Sequence, residues 1–141
     1  MQNAVQLVSR VLLSLPFVVF GYLQFTHIST YVTNPAILKF SNFVDGALSP
    51  TVLAWIVAAI DLIGGLLLVF GLQTRAAAVV LSIFVLLTLY FAHSFWTMDG
   101  PARAANQAHF YKNLAVVGGL LLVLNFGAGA YSLDRWFKRK A

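Results

Sequence analysis

The chain has 141 residues, of which 60% are hydrophobic and 9% charged, and its mean hydropathy is +0.85. A soluble domain carries roughly 25% charged residues and keeps much of its surface wet, so a soluble fold of this size is excluded and lipid is the expected solvent. Nine Lys and Arg against four Asp and Glu give a net charge of +5, but these charges sit at the ends of apolar runs, as membrane anchors do, and form no stripe for nucleic acid.

A spanning helix needs about 20 mostly apolar residues. Four windows meet this in chain order, at about 5–25, 52–72, 76–95 and 110–126. Leu, Val and Ala dominate them, and none alternates like a strand. The first has the weakly basic, apolar character of a signal peptide, but "GYLQFTHIST" offers no small-x-small cleavage site, so a retained helix is expected. Pro16 lies inside it and should kink it, which membrane helices tolerate. An outer loop over 26–51 should hold a short interfacial helix, "GLQTR" makes a tight turn, a second outer loop covers 96–109, and a basic tail covers 130–141.

The positive-inside rule orients these spans. One side collects Arg10, Arg75, Arg135, Lys138, Arg139 and Lys140; the other collects Lys39, Arg103 and Lys112. Six against three predicts both termini in the cytoplasm. The expected architecture is an all-α membrane protein, a single four-transmembrane-helix bundle. Aromatic residues at the span ends (Tyr22, Phe25, Tyr31, Phe95, Trp96, Trp136, Phe137) fit interfacial anchoring.

Glycine pairs recur in "IGGLLLVFG" and "VGGLLLVLNFG". Small residues let helices approach closely in lipid, so Gly64, Gly65, Gly118 and Gly119 are the expected crossing points. "GAGAYS" reads as a flexible exit from the fourth span. Self-association suits so small a bundle, although no GxxxG motif is present.

The most informative polar residue is Asp61, alone inside "WIVAAIDLIGGLLLVFG". A charge at the bilayer centre costs ~2.5–3.5 kcal/mol on insertion scales, so it faces a partner or a cavity. Counting ~1.5 Å per residue from Arg10 and Arg75 puts Gln24 and Asp61 both ~21 Å above the inner interface and His93 ~27 Å above it. Aligning the glycine pairs sets Lys112 ~4.5 Å outward of Asp61. Gln24, Asp61, His93 and Lys112 thus fall near one depth, flanked by Tyr111 and Asn113, with His27 and His109 further out. The plainer reading is an Asp61–Lys112 ion pair, completed by Gln24 and His93, that fixes helix register. The functional reading is a pocket for a polar headgroup or a quinone carbonyl, with His93 as the group that titrates near neutral pH.

Cysteine is absent, which excludes disulfides, dithiol relays and cysteine-ligated iron–sulfur clusters. The three histidines lack ligand spacing, so no metal is expected. No P-loop, GxSxG or dinucleotide fingerprint occurs, so no catalytic residue is assigned and a stand-alone enzyme is not expected.

The segments "SRVLLSLPFVVFGYLQF", "IDLIGGLLLVFGLQTRAAA", "AHSFW" and "HFYKNLAVVGGLLLV", with "GAGAYSLDRW" after them, resemble in order and spacing the DoxX family of small bacterial inner-membrane proteins. The resemblance implies a four-helix membrane bundle. It also implies a link to membrane subunits of oxidoreductase systems, thiosulfate:quinone and quinol-linked ones among them. Members often carry a lysine late in the first span and a glutamate in the second, where this chain has Gln24 and Asp61. Three functions follow as expectations. The first is an accessory or anchor subunit of a membrane oxidoreductase, with a quinone site at Asp61, His93, Lys112 and Asn113. The second is a small transporter or headgroup-binding protein using the same cluster. The third is a purely structural membrane protein.

Overall fold

The computed structural model describes residues 1–139, so Lys140 of the basic tail lies outside the described residues. Four long helices dominate: α1 Gln2–Thr26, α4 Pro50–Phe70, α5 Thr74–Ala92 and α6 Gly100–Phe126. Each is long and apolar enough to cross a membrane. Three short helices accompany them: α2 Ile28–Val32, α3 Pro35–Phe43 and α7 Leu133–Lys138. No strand occurs among the described residues.

The helix boundaries follow local chemistry. Asn34 and Ser49 cap α3 and α4 by accepting the N–H of Ala36 (2.9 Å) and Val52 (3.3 Å), each ahead of a proline at the first helical position. At the end of α4, Gly71 adopts φ 65°, which a residue with a Cβ resists. α1 runs as one helix through Pro16. α6 begins about ten residues before the apolar window that predicts it, because "ARAANQAH" combines good helix formers with Pro101 at the N-terminal turn. Hydropathy registers only the apolar part of that helix. The connection between α5 and α6 is correspondingly short and holds one turn of 3₁₀ helix, Phe95–Thr97.

α1 and α4 form the tightest antiparallel pair, α5 packs on α4 and α6 packs on α5. The buried residues of α1 are Arg10, Ser14, Phe17, Gly21 and Gln24. Those facing them on α4 include Ala54, Ala58, Asp61, Gly65 and Leu68. Both series step by four, three, four and three residues, the spacing of a narrow coiled-coil seam. Their crossing depends on glycine. A Cβ on Gly21 would lie 2.7 Å from the Leu62 Cα, and one on Gly65 would lie 2.9 Å from the Val18 backbone nitrogen. Backbone cannot yield there as a side chain can. Gly64 faces Leu81 and Gly119 faces Leu13. Gly118 meets nothing within 4 Å, so it is not a crossing point: the packed face of α6 carries Val117 and Leu120, one position away on either side of the glycine pair. Leu68, Leu81 and Leu120 are fully buried where α4, α5 and α6 converge, with Phe17 of α1 in the same cluster.

α2 and α3 lie over the start of α4 and the end of α5. Ile37 is buried there, Phe40 meets Phe91 edge-on at 4.9 Å, and Ser41 donates to the Leu48 carbonyl at 2.8 Å. The first turns of α1 and the segment between α6 and α7 meet at the opposite end, which we call the tail end.

Candidate functional site

Three polar constellations emerge, two in the half of the bundle away from the tail and one at the tail end. In the half away from the tail, Gln24 Nε2 donates to Asp61 Oδ2 at 3.0 Å between α1 and α4. Asp61 is 5% exposed and Gln24 9%, so both belong to the seam and not to the lipid face. Gln24 Oε1 is buried without a hydrogen-bond partner, and no cation pairs with Asp61 among the described residues. Further from the tail end, Phe25 and Trp55 cross edge-on at 5.1 Å.

The depth argument brings Gln24 to Asp61 but does not bring Lys112. The expected Asp61–Lys112 ion pair is absent and Lys112 is exposed. Depth fixes a residue's level along the bundle, not its direction around its own helix. Asn113 lies four residues before Val117 and seven before Leu120, on the packed face of α6. Lys112 is one residue removed, about 100° around the helix. α6 also packs mainly against α5, and its approach to α4 is slight outside the shared core cluster. Asn113 is half-buried and makes no hydrogen bond to Asp61.

His93 belongs to a separate group. Its Nδ1 lies 3.0 Å from Asn106 Oδ1, and its ring stacks on His109 with centroids 5.2 Å apart and planes 13° apart. This group joins the end of α5 to the first turns of α6. His27 instead contacts its own helix through the Thr26 hydroxyl and the Leu23 carbonyl. No group of three or more metal-ligating side chains forms among the described residues.

The tail end holds the constellation that the sequence reading overlooked. Arg10, expected as an interfacial anchor, is 3% exposed. Its guanidinium donates to the carbonyls of Ala128, of Tyr131 at 2.8 Å and, more weakly, of Val69 at 3.3 Å. "GAGAYS" is therefore a shaped carbonyl cradle for this side chain and not a loose exit. The signal was present in the sequence, because Arg10 continues the four-three spacing that leads through Phe17 to Gln24. Beyond the cradle, Asp134 Oδ1 accepts the Gln73 N–H at 2.7 Å and Oδ2 the Thr74 N–H at 3.0 Å, while the Asp134 N–H donates to Gly71 O at 2.8 Å. Asp134 thus caps α5 from 60 residues away, a task that Gln73 at the cap position does not perform. Partial burial opposes ionisation of Asp134. The donors on Thr74 and Gln73 and the nearby Lys138 outweigh it and hold the carboxyl below the usual carboxylate range.

These features define a four-span helical protein with a polar lock at each end of an α1–α4 seam. Sequence comparison specifies it further. The family whose sequence model matches is DoxX, over residues 5–94, and the chain belongs to that family. It is 33% identical over 134 residues to inner membrane protein YphA of Escherichia coli, covering 92% of this chain and 87% of that one. It is equally 33% identical over 134 residues to inner membrane protein YqjF of E. coli, covering 95% and 92%. The ER-derived vesicles protein ERV29 of Saccharomyces cerevisiae matches at 31% over 81 residues, 57% of this chain and 26% of its own length. No solved structure matches. The protein is a multi-pass protein of the inner membrane.

Proposed function

We propose that the protein is an accessory membrane subunit of an oxidoreductase system, oriented with both termini in the cytoplasm, and that the Gln24–Asp61 pair is its ligand site for a lipid-soluble quinol. One observation carries this reading: inside a membrane span, a buried carboxyl meets no cation, and the amide bonded to it leaves Oε1 unpartnered. An unsatisfied buried acceptor costs ~1–3 kcal/mol, so such a pair favours a partner that brings a donor. Gln24 Oε1 and the second Asp61 oxygen both accept, and the complementary ligand group is a hydroxyl. A quinol supplies one on an apolar ring. The rings of Phe25 and Trp55, edge-on at 5.1 Å on the same two helices, supply aromatic surface next to the pair. His93, Lys112 and Asn113 are not needed at this site.

The test is co-purification. The protein is isolated in lipid nanodiscs from native membranes, and retained quinols and proteins are identified by mass spectrometry. Stoichiometric quinol that is lost in Asp61→Leu and Gln24→Leu, together with an oxidoreductase partner, supports the reading. Retention of quinol in both variants refutes the site. A hydroxyl-bearing lipid recovered in place of quinol moves the same acceptors to headgroup binding.

A further inference from the structure

At the tail end, remote from Asp61, an open groove of about 610 Å³ runs between α7, the first turn of α5 and the end of α6. Arg75, Arg135 and Lys138 line it, with Phe126 on the α6 side. One acidic side chain shares the lining, Asp134, and both its oxygens already accept backbone N–H groups. The lining carries a net charge of +2.

The cations come from segments about 60 residues apart, and the bonds of Asp134 to Gly71, Gln73 and Thr74 bring them together. Arg75 is held in place by donating to the Asn125 carbonyl at 3.2 Å. The groove opens at the level where α4 ends at Phe70 and α6 at Phe126, beside the exposed aromatic rings of Trp136 and Phe137. That is the level of the lipid headgroups.

We infer that this groove seats the phosphate of an anionic phospholipid, with Arg75, Arg135 and Lys138 around the phosphate and an acyl chain along Phe126. A lipid fits better than a free anion because the cationic lining continues into apolar surface that only a lipid covers. An anionic headgroup fits better than a zwitterionic one because the latter brings its own ammonium to three cations. Basic side chains at a membrane surface each add about a fivefold preference for anionic lipid.

The experiment uses the full chain, delipidated in detergent and returned to nanodiscs of phosphatidylcholine with a minor fraction of phosphatidylglycerol. Native mass spectrometry reads which lipid remains bound. The native chain should retain phosphatidylglycerol far above its mole fraction. Arg75→Gln, Arg135→Gln and Lys138→Gln should each lower that enrichment about fivefold, and the triple variant should abolish it with little change in melting temperature. Arg139→Gln is the comparison, because Arg139 is exposed on the same tail but does not line the groove. An equal loss in Arg139→Gln would mean diffuse surface attraction and overturn the site. So would undiminished enrichment in the triple variant. A shift in melting temperature with soluble glycerol phosphate matching that with the lipid would overturn the lipid assignment.

Discussion

Arg10→Met should release the C-terminal tail from the bundle. Methionine keeps most of the apolar stem and removes the guanidinium. Two full hydrogen bonds are lost, to the carbonyls of Ala128 and Tyr131, along with the longer one to Val69. Bonds from a charged donor contribute ~1.5–3 kcal/mol each, so the gross loss is ~3–6 kcal/mol. Part is returned, because Arg10 Nε is buried without a partner and that cost of ~1–3 kcal/mol disappears. The net destabilisation of the tail is then ~2–3 kcal/mol, or roughly 30- to 140-fold in its opening equilibrium. Amide hydrogen exchange in nanodiscs reads this directly through the N–H groups of Gln73, Thr74 and Asp134, all bonded across the tail contact. Their exchange should accelerate by that factor while amides near Leu81 in the core stay protected. Arg10→Lys should fall between, since one ammonium cannot reach the same carbonyls in the guanidinium's fork geometry. Unchanged protection in Arg10→Met would show that the tail is held by its other contacts and that the carbonyl cradle contributes nothing.

Four further outcomes are expected. Gly21→Ala should destabilise the bundle by ~1–3 kcal/mol in denaturant titrations, because its methyl group meets the Leu62 backbone. Gly118→Ala, with nothing within 4 Å, should be neutral or stabilising by up to ~1 kcal/mol through helix propensity. Asp134→Ala should cost ~1 kcal/mol as the loss of an N-cap, seen as faster exchange at Gln73 and Thr74. The Asp134 carboxyl sits below its unfolded value of ~3.9, so its contribution is complete above that pH and fades as pH falls through the folded value; acid-induced opening of the tail below about pH 4 should therefore be blunted in Asp134→Asn.

How much of this was legible in the sequence depends on which physical signal carries each feature. The four helices follow from apolar length, which needs no knowledge of neighbours, and the family assignment rests on motifs spread along the chain. The Gln24–Asp61 contact follows from depth, because α1 and α4 are adjacent and antiparallel and equal depth on adjacent helices means proximity. The same arithmetic misplaces Lys112 because α6 packs mainly on α5 and turns Lys112 away from its packed face, and such pairing is a property of the assembled bundle that no single helix encodes. The start of α6 is hidden from hydropathy because its first ten residues carry no large apolar side chain, although alanine is frequent among them.

Arg10 is the instructive case. Charge alone places an arginine near a helix end at the headgroups, which is where a snorkelling side chain goes. Spacing places it differently. Arg10, Ser14, Phe17, Gly21 and Gln24 are one stripe, and a stripe that buries Phe17 and Gln24 must carry Arg10 toward α4 as well. A buried guanidinium then needs acceptors, and helix α4 has already used its carbonyls internally except in its last turn. The remaining source is irregular backbone. A glycine-rich segment that turns its carbonyls inward supplies it, which is why "GAGAYS" follows the last span and why the tail folds back over the first.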